Sequence, residues 1–138
     1  MIFAKIVLSL TGAVFLFFGL RFLVAPAEMA SLVSLSLTTP TAITEIRAMY
    51  GGLETGLGIF FLVAVFRERW IRAALGAQML TLGGLAGGRL FGMLSGPPSR
   101  IMVFFMAVEG IGLAVGLAAF VHAKHVLISS RSERRILD

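Results

Sequence analysis

The stretch from Ile101 to Val121 reads IMVFFMAVEGIGLAVGLAAFV, and it decides the fold. Glu109 is its single charged residue, and every other position is apolar or glycine. A helix needs about 20 predominantly apolar residues to cross roughly 30 Å of membrane hydrocarbon. The stretch therefore predicts a transmembrane helix that carries one acidic side chain inside the membrane.

Three further segments have the same length and apolar character. Of the 138 residues, 58% are hydrophobic and 14% are charged, and the mean hydropathy is +0.97. Soluble domains carry about a quarter charged residues, so this chain needs lipid as its solvent. The sequence predicts an all-α, integral membrane four-helix bundle that forms a single domain over residues 1–138. The helices are expected at about 2–24, 46–66, 73–94 and 101–121, followed by a basic cytoplasmic tail at 122–138.

The first segment has an alternative interpretation as a signal peptide, because Ala25-Pro26-Ala27 follows Lys5 and an apolar run. The run from Ile6 to Val24 is longer than the apolar region of a typical signal peptide. We therefore expect the first transmembrane helix here. The connection from Ala27 to Thr44 is the longest, and its pattern fits either a short helix or a short strand at the rim.

The distribution of basic residues predicts the orientation. Cytoplasmic flanks of membrane helices are enriched in Lys and Arg. The opposite side has Arg47 and Arg100 near its surface, balanced by Glu28 and Glu45. Both termini are therefore expected in the cytoplasm. The basic residues on the cytoplasmic side are Lys5, Arg67, Arg69, Arg72, Lys124, Arg131, Arg134 and Arg135.

Glycines recur at four-residue spacing in three of the helices, which lets helix backbones approach closely in lipid. We expect most of them to serve packing within the bundle, and a homodimer seam is the alternative. The residues are Gly52 and Gly56, then Gly83, Gly84, Gly87, Gly88 and Gly92, then Gly112 and Gly116.

The two halves of the chain resemble each other weakly. Arginine occurs in each odd helix, at Arg21 and Arg89, and glutamate in each even one, at Glu54 and Glu109. Both halves would start on the cytoplasmic side, so the pattern fits two parallel two-helix repeats.

The charges in these helices lie at similar depths. At 1.5 Å per residue, Glu54 lies roughly 12 Å below the outer end of its helix, and the arginines about one turn nearer the surface. Charges at such depth normally face the interior and pair. The sequence predicts one cluster in the outer half of the bundle: Arg21, Arg47, Tyr50, Glu54, Arg89 and Glu109.

This cluster has two interpretations. Ion pairs between arginine and glutamate can fix the register of the helices, or the cluster can form a polar pocket open to the outside. With three arginines to two glutamates, such a pocket would suit an anionic or polar head group. Arg21 and Arg47 are also near enough to the interface to reach water along their long side chains.

Other chemistry has little support. The chain has no cysteine, which excludes disulfides and thiolate metal sites. His122 and His125 have a spacing that permits shared metal ligation, but no third ligand is evident, so we expect no metal site. No histidine lies at mid-membrane depth for haem, and no serine has a plausible base, so we expect no cofactor and no catalytic residues. The net charge of +5 follows the membrane flanks, so we expect no nucleic acid partner.

The stretch TEIRAMYGGLE, from Thr44 to Glu54, resembles an uncharacterised bacterial family of small four-helix inner-membrane proteins. GGRLFG, from Gly87 to Gly92, and Glu109 in the last helix match the same family, which is distantly similar to DoxX-like proteins. The chain departs from it at Ser95-Gly96-Pro97, where members commonly have an acidic residue. The resemblance covers nearly the whole chain and implies a domain of unknown function, with no reaction.

The residues are compatible with three functions. The favoured one is a non-enzymatic membrane protein that binds a lipid-like or polar ligand, or a partner subunit in a homo-oligomer or larger complex, through the cluster. A small proton-coupled transporter is the second, because a membrane-embedded glutamate can carry a proton. An enzyme acting on a lipid or isoprenoid is the third, with Glu54 or Glu109 as general acid or base.

Overall fold

The computed structural model describes the backbone of residues 1–137 and the side chains of residues 1–123. It is all-α, and residues 1–137 contain no strand. A π-helical turn at Arg47–Gly52 joins two of the helices into one continuous unit, Pro40–Val65. The helices are α1 (Ile2–Val24), α2 (Pro26–Ser31), α3 (Pro40–Ile46), α4 (Leu53–Val65), α5 (Glu68–Met93) and α6 (Arg100–Leu137).

Two helical hairpins form the bundle. In the first, α1 packs along α4 and the π-helical turn, and in the second, α5 packs along α6. The hairpins meet through α4 against α5 and through α1 against α6, so the four long units form a ring. The fold therefore places α5 between α4 and α6. One face of α5 contacts α4 of the first hairpin, and another face contacts α6 of its own hairpin.

Prolines and one cap set the helix boundaries at the end of α1 and the start of α3. Helix α1 stops before Ala25, because a residue that precedes proline disfavours the helical conformation. Pro26 and Pro40 occupy first-turn positions, where a missing N–H costs nothing. The Thr39 hydroxyl accepts a hydrogen bond from the Ala42 amide at 3.1 Å and caps α3.

The predicted helices are present, with some shifted ends. The first has the predicted bounds, while the second begins at Pro40 rather than about residue 46. The third begins at Glu68, five residues earlier than expected. The last continues to Leu137 without a break, so residues 122–137 are helical and the tail predicted from 122 does not begin as a separate segment. The long connection was expected to contain either a short helix or a short strand. The structure has a short helix there, α2.

Three helical stretches are long and apolar enough to cross a membrane: Ile2–Val24, Pro40–Val65 and Arg100–Ala123. Helix α5 is long enough at 26 residues, but its glycines, Gln78 and Arg89 lower its hydropathy. The protein is therefore a membrane protein, and the fourth crossing remains a prediction.

The apolar core is concentrated at one end of the bundle. This packed end contains the start of α1, the end of α4, the start of α5 and the far part of α6. Lys5 and Glu68 form an ion pair of 3.5 Å there. The opposite, open end carries the Ser95–Ser99 turn and has few buried apolar side chains. The core residues are Ala4, Val7, Leu8, Phe15, Phe61, Ala64, Ile71, Ala74, Leu75, Leu82, Ala119 and Ala123.

Glycines bring α1 and α4 into backbone contact. A Cβ atom placed on Gly58 would lie 2.6 Å from the Leu16 amide nitrogen, and one on Gly19 would lie 2.5 Å from that of Thr55. Such distances leave no room for a side chain, so these glycines are needed for packing within the hairpin. In contrast, Gly84, Gly88 and Gly92 of α5 face open space, although packing was the expected role of this row.

Candidate functional site

A cleft of about 700 Å³ opens between the hairpins at the open end. Its size lies in the usual range of small-molecule sites. Tyr50 of the π-helical turn contributes from the first hairpin, and all other lining residues belong to α5, α6 and the turn between them. The lining residues are Tyr50, Gly84, Leu85, Gly88, Arg89, Gly92, Met93, Ser95, Gly96, Pro97, Pro98, Ser99 and Met102.

Arg89 is the charged residue that lines this cleft, and it forms an ion pair with Glu109. Its Nε donates to both carboxylate oxygens of Glu109, at 2.9 and 3.0 Å. The Glu109 side chain is 9% exposed and that of Arg89 24%. The predicted contact between these residues is therefore present, with the carboxylate behind the arginine and the guanidinium at the cleft wall.

The rest of the Arg89 guanidinium is largely uncommitted. One terminal nitrogen approaches the Met102 sulfur at 3.6 Å, which is a weak acceptor, and the group lies 5.1 Å from the centre of the Phe105 ring. No oxygen in the described part of the chain accepts a hydrogen bond from either terminal nitrogen. Arg89 can therefore offer three N–H donors to a ligand while its Nε stays bound to Glu109 and one terminal N–H points to the Met102 sulfur.

Helical spacing explains why Arg89 meets Glu109. Leu82 faces Gly112 across the α5–α6 contact, with its Cδ1 only 2.7 Å from the position of an added Cβ. Arg89 is seven residues after Leu82, and Glu109 three before Gly112, so both lie on the contacting faces. The short turn between antiparallel helices then brings them to the same level.

Glu54 lies near the ion pair but outside it. The residue is half-buried, and Arg89 is close enough to interact with it electrostatically. Among the described side chains, none forms an ion pair with Glu54 within 4 Å. The neighbouring Thr55 hydroxyl is buried and has no hydrogen-bond partner in this part of the chain. Glu54 is therefore a second acidic side chain near the cleft, separate from the ion pair of Arg89 and Glu109.

Tyr50 reaches the cleft from the other hairpin. Its ring packs against Phe22 of α1 with 5.1 Å between centroids, and 42% of the residue is exposed. Tyr50 and Arg89 thus line one cleft from two hairpins, as the cluster prediction requires.

Arg21 does not belong to this arrangement. Its guanidinium donates to the Glu28 carboxylate at 2.6 Å, and both side chains are exposed. Gly19 faces α4 at Thr55, and two further residues turn a helix by about 200°, so Arg21 points away from α4. The expected contact with a membrane glutamate is therefore wrong, and the first hairpin lacks the ion pair of the second.

Arg47 also lies apart from the two glutamates. Its Nε donates to the Leu23 carbonyl oxygen at 3.1 Å. The spacing of seven residues to Glu54 predicts a shared face only for a regular α-helix, and the π-helical turn changes the angular spacing. Arg47 instead ties this turn to the end of α1.

Residue patterns alone did not identify Met102, Phe105 or the turn as parts of the site. Phe105 and Met102 precede Glu109 by four and seven residues, so a helical-face argument would have found them. The turn residues Ser95 to Ser99 have no such signal, because their position depends on how the α5–α6 connection closes over the cleft.

No group of three potential metal ligands occurs among the described side chains. His122 packs edge-on against Phe3, with 6.4 Å between ring centroids. The side chain of His125, and those of the basic residues after it, lie outside the described residues.

A family profile described as a domain of unknown function (DUF4345) matches residues 3–123. No curated protein and no solved structure matches the chain.

Proposed function

Because the chain belongs to the DUF4345 family, whose activity is undefined, we propose a function from the geometry of its cleft. The protein binds a ligand whose head group offers hydrogen-bond-accepting oxygens, and Arg89 is the main contact. It acts in the bacterial inner membrane, with the cleft facing outward. This role is non-enzymatic.

The arrangement of Arg89 carries the proposal. Glu109 holds the guanidinium by its Nε and so fixes the orientation of the terminal nitrogens toward the cleft. A guanidinium held in this way loses little side-chain entropy on binding and matches a planar pair of oxygens. The packed core fills the other end of the bundle, so the cleft ends inside the membrane, which favours binding over transport.

We expect Arg89→Lys to weaken binding of butanoate, a short soluble carboxylate, about tenfold or more. Lysine keeps the positive charge beside Glu109 but lacks the forked donors, and a hydrogen bond to a charged group contributes roughly 1.5–3 kcal/mol. The measurement is titration of 13C-carboxyl-labelled butanoate by NMR, with the protein in phosphatidylcholine nanodiscs.

Arg21→Lys is the matched control, since it changes the same residue type at the same end of the bundle outside the cleft. Its butanoate affinity should equal that of the unmodified protein. Equal affinity for Arg89→Lys would contradict the proposed site.

The orientation gives a separate prediction. A topology reporter fused after Arg72 should give a cytoplasmic signal, because basic flanks of membrane helices stay on the cytoplasmic side. Fusions within residues 27–44 and after Pro98 should report the outside, and the second of these tests whether α5 crosses the membrane. A cytoplasmic signal from the 27–44 connection would overturn the orientation, and one from Pro98 would overturn the fourth crossing.

A further inference from the structure

We infer that the ligand is a long-chain monocarboxylate whose single hydrocarbon chain lies along the exposed glycines of α5. This inference rests on the proposed function, because it uses Arg89 as the head-group contact. It adds the chemical class of the ligand and the path of its apolar part.

The glycines form one continuous wall of the cleft. Gly84, Gly88 and Gly92 are all exposed, all line the cleft, and an added Cβ at any of them would meet nothing within 4 Å. Residues four apart lie on one helix face. At 1.5 Å per residue the row extends about 12 Å along the helix, a bare strip of backbone one residue wide.

The wall leads from the head-group position into the membrane. Arg89 lies between Gly88 and Gly92, near the mouth formed by the Ser95–Ser99 turn. Toward the middle of the bundle the cleft contains Leu85, and Leu82, one turn before it, is buried. Leu80 lies one turn beyond Gly84 on the same helix face and is 80% exposed, so a chain can leave the cleft there.

Charge limits the head group. Glu109 neutralises Arg89, so the head-group position carries little net positive charge. A head group with two negative charges would meet repulsion from Glu109, whereas a single carboxylate fits the forked terminal nitrogens of Arg89. Together with a strip one residue wide, this favours a monocarboxylate with one chain over a phosphate lipid with two.

The test measures binding of butanoate and of dodecanoate to the same set of variants. Each probe partitions equally into the lipid of every sample, so the difference in its affinity between variants comes from the protein. In nanodiscs, Gly84→Leu should weaken dodecanoate binding about tenfold and leave butanoate binding unchanged. Leucine at this position blocks the chain path about 7.5 Å from Arg89 and leaves the head-group position free. The matched control is Gly76→Leu on the same helix, where an added Cβ also meets nothing and which lies outside the cleft.

A second measurement does not depend on the variant folding. Dodecanoate with a photoreactive diazirine near its methyl end should label the unmodified protein between Leu80 and Leu85. Labelling confined to other helices would overturn the chain path.

The outcomes separate the two proposals. If Arg89→Lys weakens butanoate binding and Gly84→Leu leaves dodecanoate affinity unchanged, the head-group site stands and the chain path is wrong. If Gly84→Leu weakens both probes equally, the chain path is also wrong. If the unmodified protein binds neither probe, both the inference and the proposed function are overturned.

Discussion

Replacing Glu109 with alanine is expected to lower the free energy of unfolding by about 3 kcal/mol. Removing one partner of a buried ion pair leaves the other charge uncompensated, which costs roughly 3–5 kcal/mol when both are buried. The lower value applies because Arg89 keeps 24% of its side chain exposed. The measurement is equilibrium unfolding in mixed detergent micelles, followed by circular dichroism.

Glu28→Ala is the matched control, because it removes the carboxylate of the exposed pair with Arg21. Exposed ion pairs contribute less than about 1 kcal/mol, so this variant should unfold almost like the unmodified protein. Exchanging the residues of the buried pair, as Arg89→Glu with Glu109→Arg, should recover much of the lost stability. A loss at Glu109 as small as that at Glu28 would show that the pair is not a structural element.

Replacing Gly58 with alanine is expected to have a comparable effect on the first hairpin. The added Cβ would lie 2.6 Å from the Leu16 nitrogen and 2.9 Å from the Gly12 oxygen. Both are backbone atoms, so α1 and α4 must move apart rather than adjust a rotamer. Overpacking of this kind costs typically 1–3 kcal/mol, and we expect the upper part of that range in the same unfolding measurement.

Gly56→Ala provides the control on the same helix, since an added Cβ there meets nothing within 4 Å. Alanine has a higher helix propensity than glycine, so this variant should be equal or slightly higher in stability. A loss of stability at Gly56 equal to that at Gly58 would contradict the assignment of the Gly58 cost to the α1–α4 contact.

Sequence reasoning predicted the second hairpin better than the first. Arg89 and Glu109 are separated by a short turn and lie on regular α-helix, so depth and face could be counted from the residues alone. In the first hairpin a connection of more than a dozen residues and a π-helical turn intervene. Counting fails there, because one π turn rotates every later side chain relative to the earlier ones.

The open cleft could not be predicted from residue types. A row of glycines is the signature both of tight packing and of an empty wall. Gly19 and Gly58 pack, whereas Gly84 and Gly88 do not, and the difference depends on which helix face meets a neighbour. Only the arrangement of the two hairpins supplies that information.

The uneven distribution of the core has a mechanical consequence. The hairpins pack against each other through the core at one end, and the cleft opens at the other end. If α5 crosses the membrane as predicted, the packed end lies in one leaflet, and the tips of the hairpins beside the cleft lie in the opposite one. Lateral tension in the leaflet around the tips then does work on their separation. Because linked equilibria are reciprocal, a ligand that widens the tips binds more tightly under tension, and its binding in turn enlarges the area that the protein occupies in that leaflet.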